Sequence, residues 1–400
     1  MAYRSLLRVA GIGFFPLGFL ARLPYATSTL STLLLLQAAT HSYAFAGLAA
    51  AAQSIAVAVG GPLVGALADR HGHRHVGVGA ATANLVAWAC LAAAASHGGR
   101  ASMLAAAALV GLTQPQVGPL VRVHWSRLVH ARDAGHVVPS ALAYEASADE
   151  LSFVTGPALV GLLAAVGPLA PTVLTMSLIA ATTLPFALLH GGGASGQPGA
   201  EQNGQARLPR LPLAVMFLAM AAVGAVFGAV QTAVTVYADA LGEPGVSGLV
   251  YAEFGVGSAL AGAACAWLPR RFSLHARYVT FAAALCAGTL VLYVGTRAVS
   301  LPVGVALASF TVAPYMISLY ALTERLAPAR RAAFAMTVLC AGGPLGTAAG
   351  QAVSGGLAQA HGVEGALLVA LVAAGGALLL AGLWGILPGR ELRSSELVGV

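Results

Sequence analysis

From Ser42 to Ala68, and again from Val76 to Ser96, the chain carries no Asp, Glu, Lys or Arg. As a helix rising about 1.5 Å per residue, each run reaches across a bilayer core of roughly 30 Å. A compact charged turn, Gly65-Ala66-Leu67-Ala68-Asp69-Arg70-His71-Gly72-His73-Arg74, stands between the two runs. Two apolar helices meeting at a basic loop place the chain in a membrane. The rest of the sequence has the same character: 58% of its 400 residues are hydrophobic and 8% charged, against about 25% charged in soluble domains. That composition excludes a soluble enzyme. There is no lysine, so the net charge of +7 rests on 20 arginines against 13 acids. In so apolar a chain the excess reads as loop charge rather than as a nucleic-acid surface. Cys90, Cys265, Cys286 and Cys340 all fall in apolar runs, at spacings that fit neither a disulfide framework nor a zinc site, and read as small packing residues.

Breaking the charge-free stretches at Gly, Pro and charged clusters predicts twelve helices. In the first half they lie near 10–37, 43–67, 76–96, 101–121, 140–166 and 169–189. In the second half they lie near 212–237, 246–268, 278–296, 299–322, 332–358 and 364–387. The predicted fold class is therefore an all-α integral membrane protein of twelve transmembrane helices in two six-helix bundles, residues 1–190 and 212–390. Residues 191–211, rich in Gly, Gln and Ser, cannot bury a core and read as a flexible linker, and 391–400 reads as a tail. All arginines except Arg22, Arg100 and Arg297 fall on one side of this arrangement, which by the positive-inside rule puts both termini and the linker in the cytoplasm of a cell membrane. Asp239, Glu243 and Glu364 then face outward. The first span is expected to stay in the membrane rather than be cleaved as a signal peptide, because the apolar pattern resumes after Arg22-Leu23-Pro24 and runs to Gln37. With 49 glycines, helices are expected to pack by close backbone approach.

An ionisable residue deep in a span costs roughly 2.5–3.5 kcal/mol on the lenient insertion scale, so each needs a partner or a wet cavity. Five stand out: Arg22, Glu145, Asp149, Glu150 and Glu253. Arg22 lies roughly 18 Å into the first span, and Asp149 and Glu150 lie roughly 14 and 15 Å into the fifth, which runs in the same direction. An ion pair of Arg22 with Asp149 or Glu150 is expected, with Glu145 on the face of Asp149 at i, i+4. Adjacent carboxylates in a low-dielectric cavity resist ionising together, so Asp149 or Glu150 is expected to carry a coupling proton that Arg22 modulates. A permanent structural pair is the competing reading. Glu253, expected to face the fifth helix from the eighth, is the second proton site. Tyr25, Gln114, Gln231, Tyr237 and Tyr315 are expected to touch substrate in a midplane cavity. That set is too poor in clustered polar groups for sugars. No G-x-x-x-x-G-K-[ST] occurs, so ATP is not the energy source, and no H-E-x-x-H or G-x-S-x-G points to an enzyme. No cofactor or metal is expected; His71, His73 and His75 read as basic loop residues rather than ligands.

The run Gly65-x-Leu67-Ala68-Asp69-Arg70-x-Gly72-x-Arg74 resembles the loop that the major facilitator superfamily carries between its second and third helices, and twelve helices in two halves resembles its architecture. The resemblance implies that this loop latches the cytoplasmic side of the outward-open state. Asp69 would face the start of the eleventh helix at residues 328–331, and Arg70 or Arg74 would meet Asp133 or Glu324. A carboxylate beside a helix N-terminus gains about 0.3–1 kcal/mol, weak enough for a latch that must open. The matching segment of the second half keeps Arg270, Arg271 and Arg277 but has no aspartate. Gly156-Pro157 with Gly161 resembles the glycine-proline signature of proton-coupled exporters in the superfamily. Here Glu145, Asp149 and Glu150 stand where that signature has further glycines, and Gln114-Pro115-Gln116 occupies the place of its fourth-helix arginine. The expectation is a monomeric secondary transporter whose partners are the bilayer, protons and a small molecule, exporting a hydrophobic or amphipathic compound by alternating access. A proton-coupled importer of a small metabolite, or a non-transporting receptor or assembly protein of the same fold, remain as alternatives.

Overall fold

The computed structural model describes residues 10–115, 117, 138–190, 210–265, 268–269, 272–298, 300–326 and 332–384. Every regular element among them is helical, and nine segments are long and apolar enough to cross a membrane. The first apolar run is two helices, α1 (Phe14–Leu20) and α2 (Leu23–Thr40), rather than one. Pro24 causes the break, since it has no N–H for the Leu20 carbonyl and its ring crowds the preceding turn. Ser42 starts α3 (Tyr43–His71) by accepting a hydrogen bond from the Phe45 N–H at 3.3 Å. Gly72, at φ +89°, ends α3 and opens α4 (His73–His97), a left-handed conformation that suits glycine.

In the fourth apolar segment α5 (Arg100–Leu112) is interrupted at 113–115, and residue 117 is helical again. Pro115 biases Gln114 away from helix. Asn84 of α4 compensates by donating to the freed Val110 carbonyl at 2.8 Å. The long helix α6 (Val138–Ala164) is followed by α7 (Ala170–Leu178), a π-helical turn at Ile179–Thr183, and α8 (Leu184–His190). After residue 210 come α9 (Arg210–Ala240), α10 (Gly245–Ala264) and α11 (Leu274–Ala298). The expected tenth span is broken at Phe310–Thr311 into α12 (Leu301–Ser309) and α13 (Val312–Leu326). Finally α14 (Ala332–Trp384) bends at Gly362, whose φ of 60° and ψ of −145° are not helical.

The buried apolar residues form separate cores. One is drawn from residues 215–381, and others from Leu30 to Ile179. Two seams join these halves of the chain. At one, Gly161 of α6 meets Gly245 and Gly248 of α10, so that a side chain on Gly248 would run into the Pro157 carbonyl. At the other, Gly47 of α3 meets Gln351 and Gly355 of α14. Every inter-half glycine contact among the described residues lies between mid-helix and the end that carries Tyr43, Gly161 and Gly245. That end, called here the Tyr43 end, is closed. Apolar side chains such as Leu249, Val256, Val372 and Leu379 remain exposed on the outer faces, as lipid contact requires.

Candidate functional site

Breaking the α1–α2 run disturbs its hydrogen-bond ladder at Gly18 and Ala21 as well as at Leu20. The Arg22 N–H bonds Phe19 O instead of Gly18 O, and the Tyr25 N–H bonds Arg22 O instead of Ala21 O. Gly18 O is recovered by the guanidinium of Arg22 itself, at 2.9 Å from Nη1. Ala21 O accepts from Thr183 Oγ1 of the π turn at 3.3 Å. Gly18 packs beside this arrangement: a Cβ there would be in ordinary contact with the Phe186 ring at 3.5 Å and with Arg22 Nη1 at 3.7 Å.

Held in this way, Arg22 donates from Nε to Asp149 Oδ1 of α6 at 2.8 Å. Arg22 is 4% exposed and Asp149 37%. The cation is thus deep in protein while its carboxylate partner is half-buried. Around the pair, Tyr144 donates to Phe15 O at 3.0 Å and Tyr25 packs edge-on against Phe153. Cys340 of α14, in the other half of the chain, is exposed.

A second polar cluster crosses between the halves, and sequence reasoning found one of its members. Ser54 of α3 donates to Gln351 Oε1 of α14 at 3.1 Å, and Gln351 Nε2 donates to Gln231 Oε1 of α9 at 2.8 Å. Ser354 donates to Thr232 Oγ1 at 2.9 Å one turn away. Ser54 and Gln351 are neutral residues in apolar helices, so no charge marked them in the sequence. At the Tyr43 end, the Tyr43 hydroxyl donates to Asp239 of α9, and the Tyr43 N–H donates to Gln359 Oε1 at 3.0 Å.

Several expectations are corrected. Gln114 does not line an open space: it is buried and accepts from Ser28 Oγ at 3.1 Å, which in turn accepts from Gln53 at 2.6 Å. Tyr315 is wholly buried and stacked on Tyr278 at 5.6 Å inside the second core, and Tyr237 packs against that core. Glu253 does not face α6. On α10 the glycines 245, 248 and 255 take that side, and Glu253 falls on the stripe of exposed Leu249, Val256 and Leu260. Arg70 and Arg74 are exposed and make no ion pair with Glu324 among the described residues. Gly65 is exposed with open space where a Cβ would project. The glycine signature of α6 serves two neighbours, since Gly156 packs on Ala26 of α2 while Pro157 and Gly161 pack on α10. The side chains of Asp69, Glu145 and Glu150, together with Asp133 and residues 328–331, lie outside the described residues.

Apolar spanning helices, broken where polar residues gather inside, define a multi-pass membrane protein. The family pattern of the Major Facilitator Superfamily matches residues 14–303, and the chain belongs to that family. No curated protein matches it by sequence. Solved structures share the fold. The nucleoside transporter NupG superposes with a TM-score of 0.71 at 16% identity, over 94% of this chain and 98% of its own. A bacterial homologue of the iron transporter ferroportin, in an inward-facing state, gives 0.69 at 15% identity over 95% and 99%. A POT family transporter in complex with 5-aminolevulinic acid gives 0.68 at 12% identity over 95% and 96%.

Proposed function

We propose that this protein is a proton-coupled secondary transporter that exports a small hydrophobic or amphipathic compound by alternating access. The observation that carries the proposal is the Arg22–Asp149 pair, an ion pair in which the cation is 4% exposed and the carboxylate 37%. A proton arriving at Asp149 would neutralise it and remove the charge that Arg22 Nε faces. The protein then relaxes by rearranging α1 and α2 against α6, and Tyr25 and Phe153 offer an aromatic wall to the departing compound. Glu145 and Glu150 share the segment and the same role is proposed for them; Glu253, turned to the outer face of α10, is the weaker candidate.

The twelve-crossing arrangement belongs to the same proposal. Helix α14 turns at Gly362 to make two crossings, and the shorter apolar helices Arg100–Leu112 and Leu151–Ala164 complete the set. Residues 1–190 and 212–390 then form the two bundles, with the linker and both termini in the cytoplasm of a cell membrane. In that orientation the closed Tyr43 end faces outward, so the structure is inward-facing. The loop from Gly65 to Arg74 is released, as its exposed arginines suggest.

The test is proton-gradient dissipation in inverted vesicles across a panel of lipophilic cations, neutral antibiotics and sugars, comparing the wild type with Asp149→Asn and Glu150→Gln. A compound-dependent signal that Asp149→Asn abolishes is the expected result. Silence across the panel with folded protein would favour import or a non-transporting role.

A further inference from the structure

We infer that Thr183 is a positioning residue for the ion pair: its hydroxyl holds the broken turn of the first span in the shape that aims Arg22 at Asp149. Gly18 and Ala21 contribute two of the carbonyls that the break disturbs. Gly18 O is recovered by Arg22, which uses one side of the guanidinium, so Nε is left pointing to Asp149. Ala21 O, the carbonyl immediately before Arg22, is recovered from another helix by Thr183. Without that donor the Ala21 carbonyl is buried and unpaired. The turn can then regain a partner by re-forming the regular Tyr25 N–H to Ala21 O bond, which rotates residue 22 along the helix and away from α6.

The π turn supplies what this task requires. Leu184 N–H reaches back to Ile179 O, one residue farther than in an α-helix, and the widened turn sits level with the break. Two other threonines of the segment bond carbonyls of their own helix: Thr182 donates to Leu178 O and Thr175 to Pro171 O. Thr183 instead donates outward to α1–α2, while Phe186 one turn on packs beside Phe14 and Gly18. Both Thr183 and Phe186 are buried, so the contact is not one that water can replace.

The experiment needs no substrate and does not depend on proton coupling. Melting temperatures of the purified full chain in detergent are measured for Arg22→Gln, Asp149→Ala and the double variant, first with Thr183 and then with Thr183→Val. With Thr183 present, the two single losses exceed the loss of the double variant, because each removes the same bond. With Thr183→Val the losses become additive, and with Thr183→Ser the original pattern returns. Thr183→Ala serves if the valine does not fold. Unchanged non-additivity in the valine or alanine background would overturn the inference. A failure of the vesicle assay would remove the proton role of Asp149 and leave this cycle untouched.

Discussion

Arg22 is buried while Asp149 keeps more than a third of its side-chain surface, and this imbalance decides which partner is the worse to lose. Removing Asp149 takes a carboxylate away from a buried cation, and losing one member of a pair sealed on both sides costs about 3–5 kcal/mol. Removing Arg22 strands a carboxylate that water can reach. Asp149→Ala is therefore expected to lower the melting temperature more than Arg22→Gln. The double change Arg22→Leu with Asp149→Ala should recover part of the Asp149→Ala loss; no recovery would mean that the cation is solvated after all. Depth along two parallel helices was enough to anticipate this pair, because both charges are conspicuous in apolar surroundings. Neutral residues gave no such signal. Ser54 and Gln351 look like any polar residue in a glycine-rich helix, and Tyr315 and Gln114 looked like cavity residues because a sequence does not say which way a helix apolar on all sides is turned.

Helices α6 and α10 touch through glycines whose missing side chains are the contact itself. A methyl group on Gly248 would meet the backbone of Pro157 and Gly161, which cannot yield as a side chain could. Gly248→Ala is expected to destabilise the protein by about 1–3 kcal/mol. Gly376→Ala, on a face of α14 where nothing lies within 4 Å, should be neutral or gain up to about 1 kcal/mol from helix propensity. Thermal unfolding of the two variants in detergent checks the contrast, and equal effects would deny the seam its close approach. Charge-free runs located most of the helices to within a few residues. They could not show the interruptions at Ala21–Arg22, Thr113–Pro115 and Phe310–Thr311, because a proline inside a long apolar run can kink, end or merely bend it. Which outcome holds depends on whether a neighbouring helix offers donors to the carbonyls set free, as Asn84 and Thr183 do here.

Across the whole molecule the two seams differ in kind. The α6–α10 seam is glycine against glycine, whereas all three inter-half hydrogen bonds described above begin on α3, two at Tyr43 and one at Ser54. Removing one of them should loosen the closed end. With Cys90, Cys265 and Cys286 replaced by Ser, a maleimide confined to the Tyr43 side should modify Cys340 roughly fivefold faster or more in Tyr43→Phe than in the parent. A hydrogen bond to a charged group contributes about 1.5–3 kcal/mol before solvent weakens it. An unchanged rate would show that the bond plays no part in closure. The sequence made the family resemblance legible through the Gly72 loop, yet the bonds that keep this structure shut lie at the opposite end, among residues that no motif marks. The molecule is therefore built like a casement window, with a smooth pivot on one jamb and all its bolts along one stile. Its resting posture is expected to respond to changes on that single helix, α3.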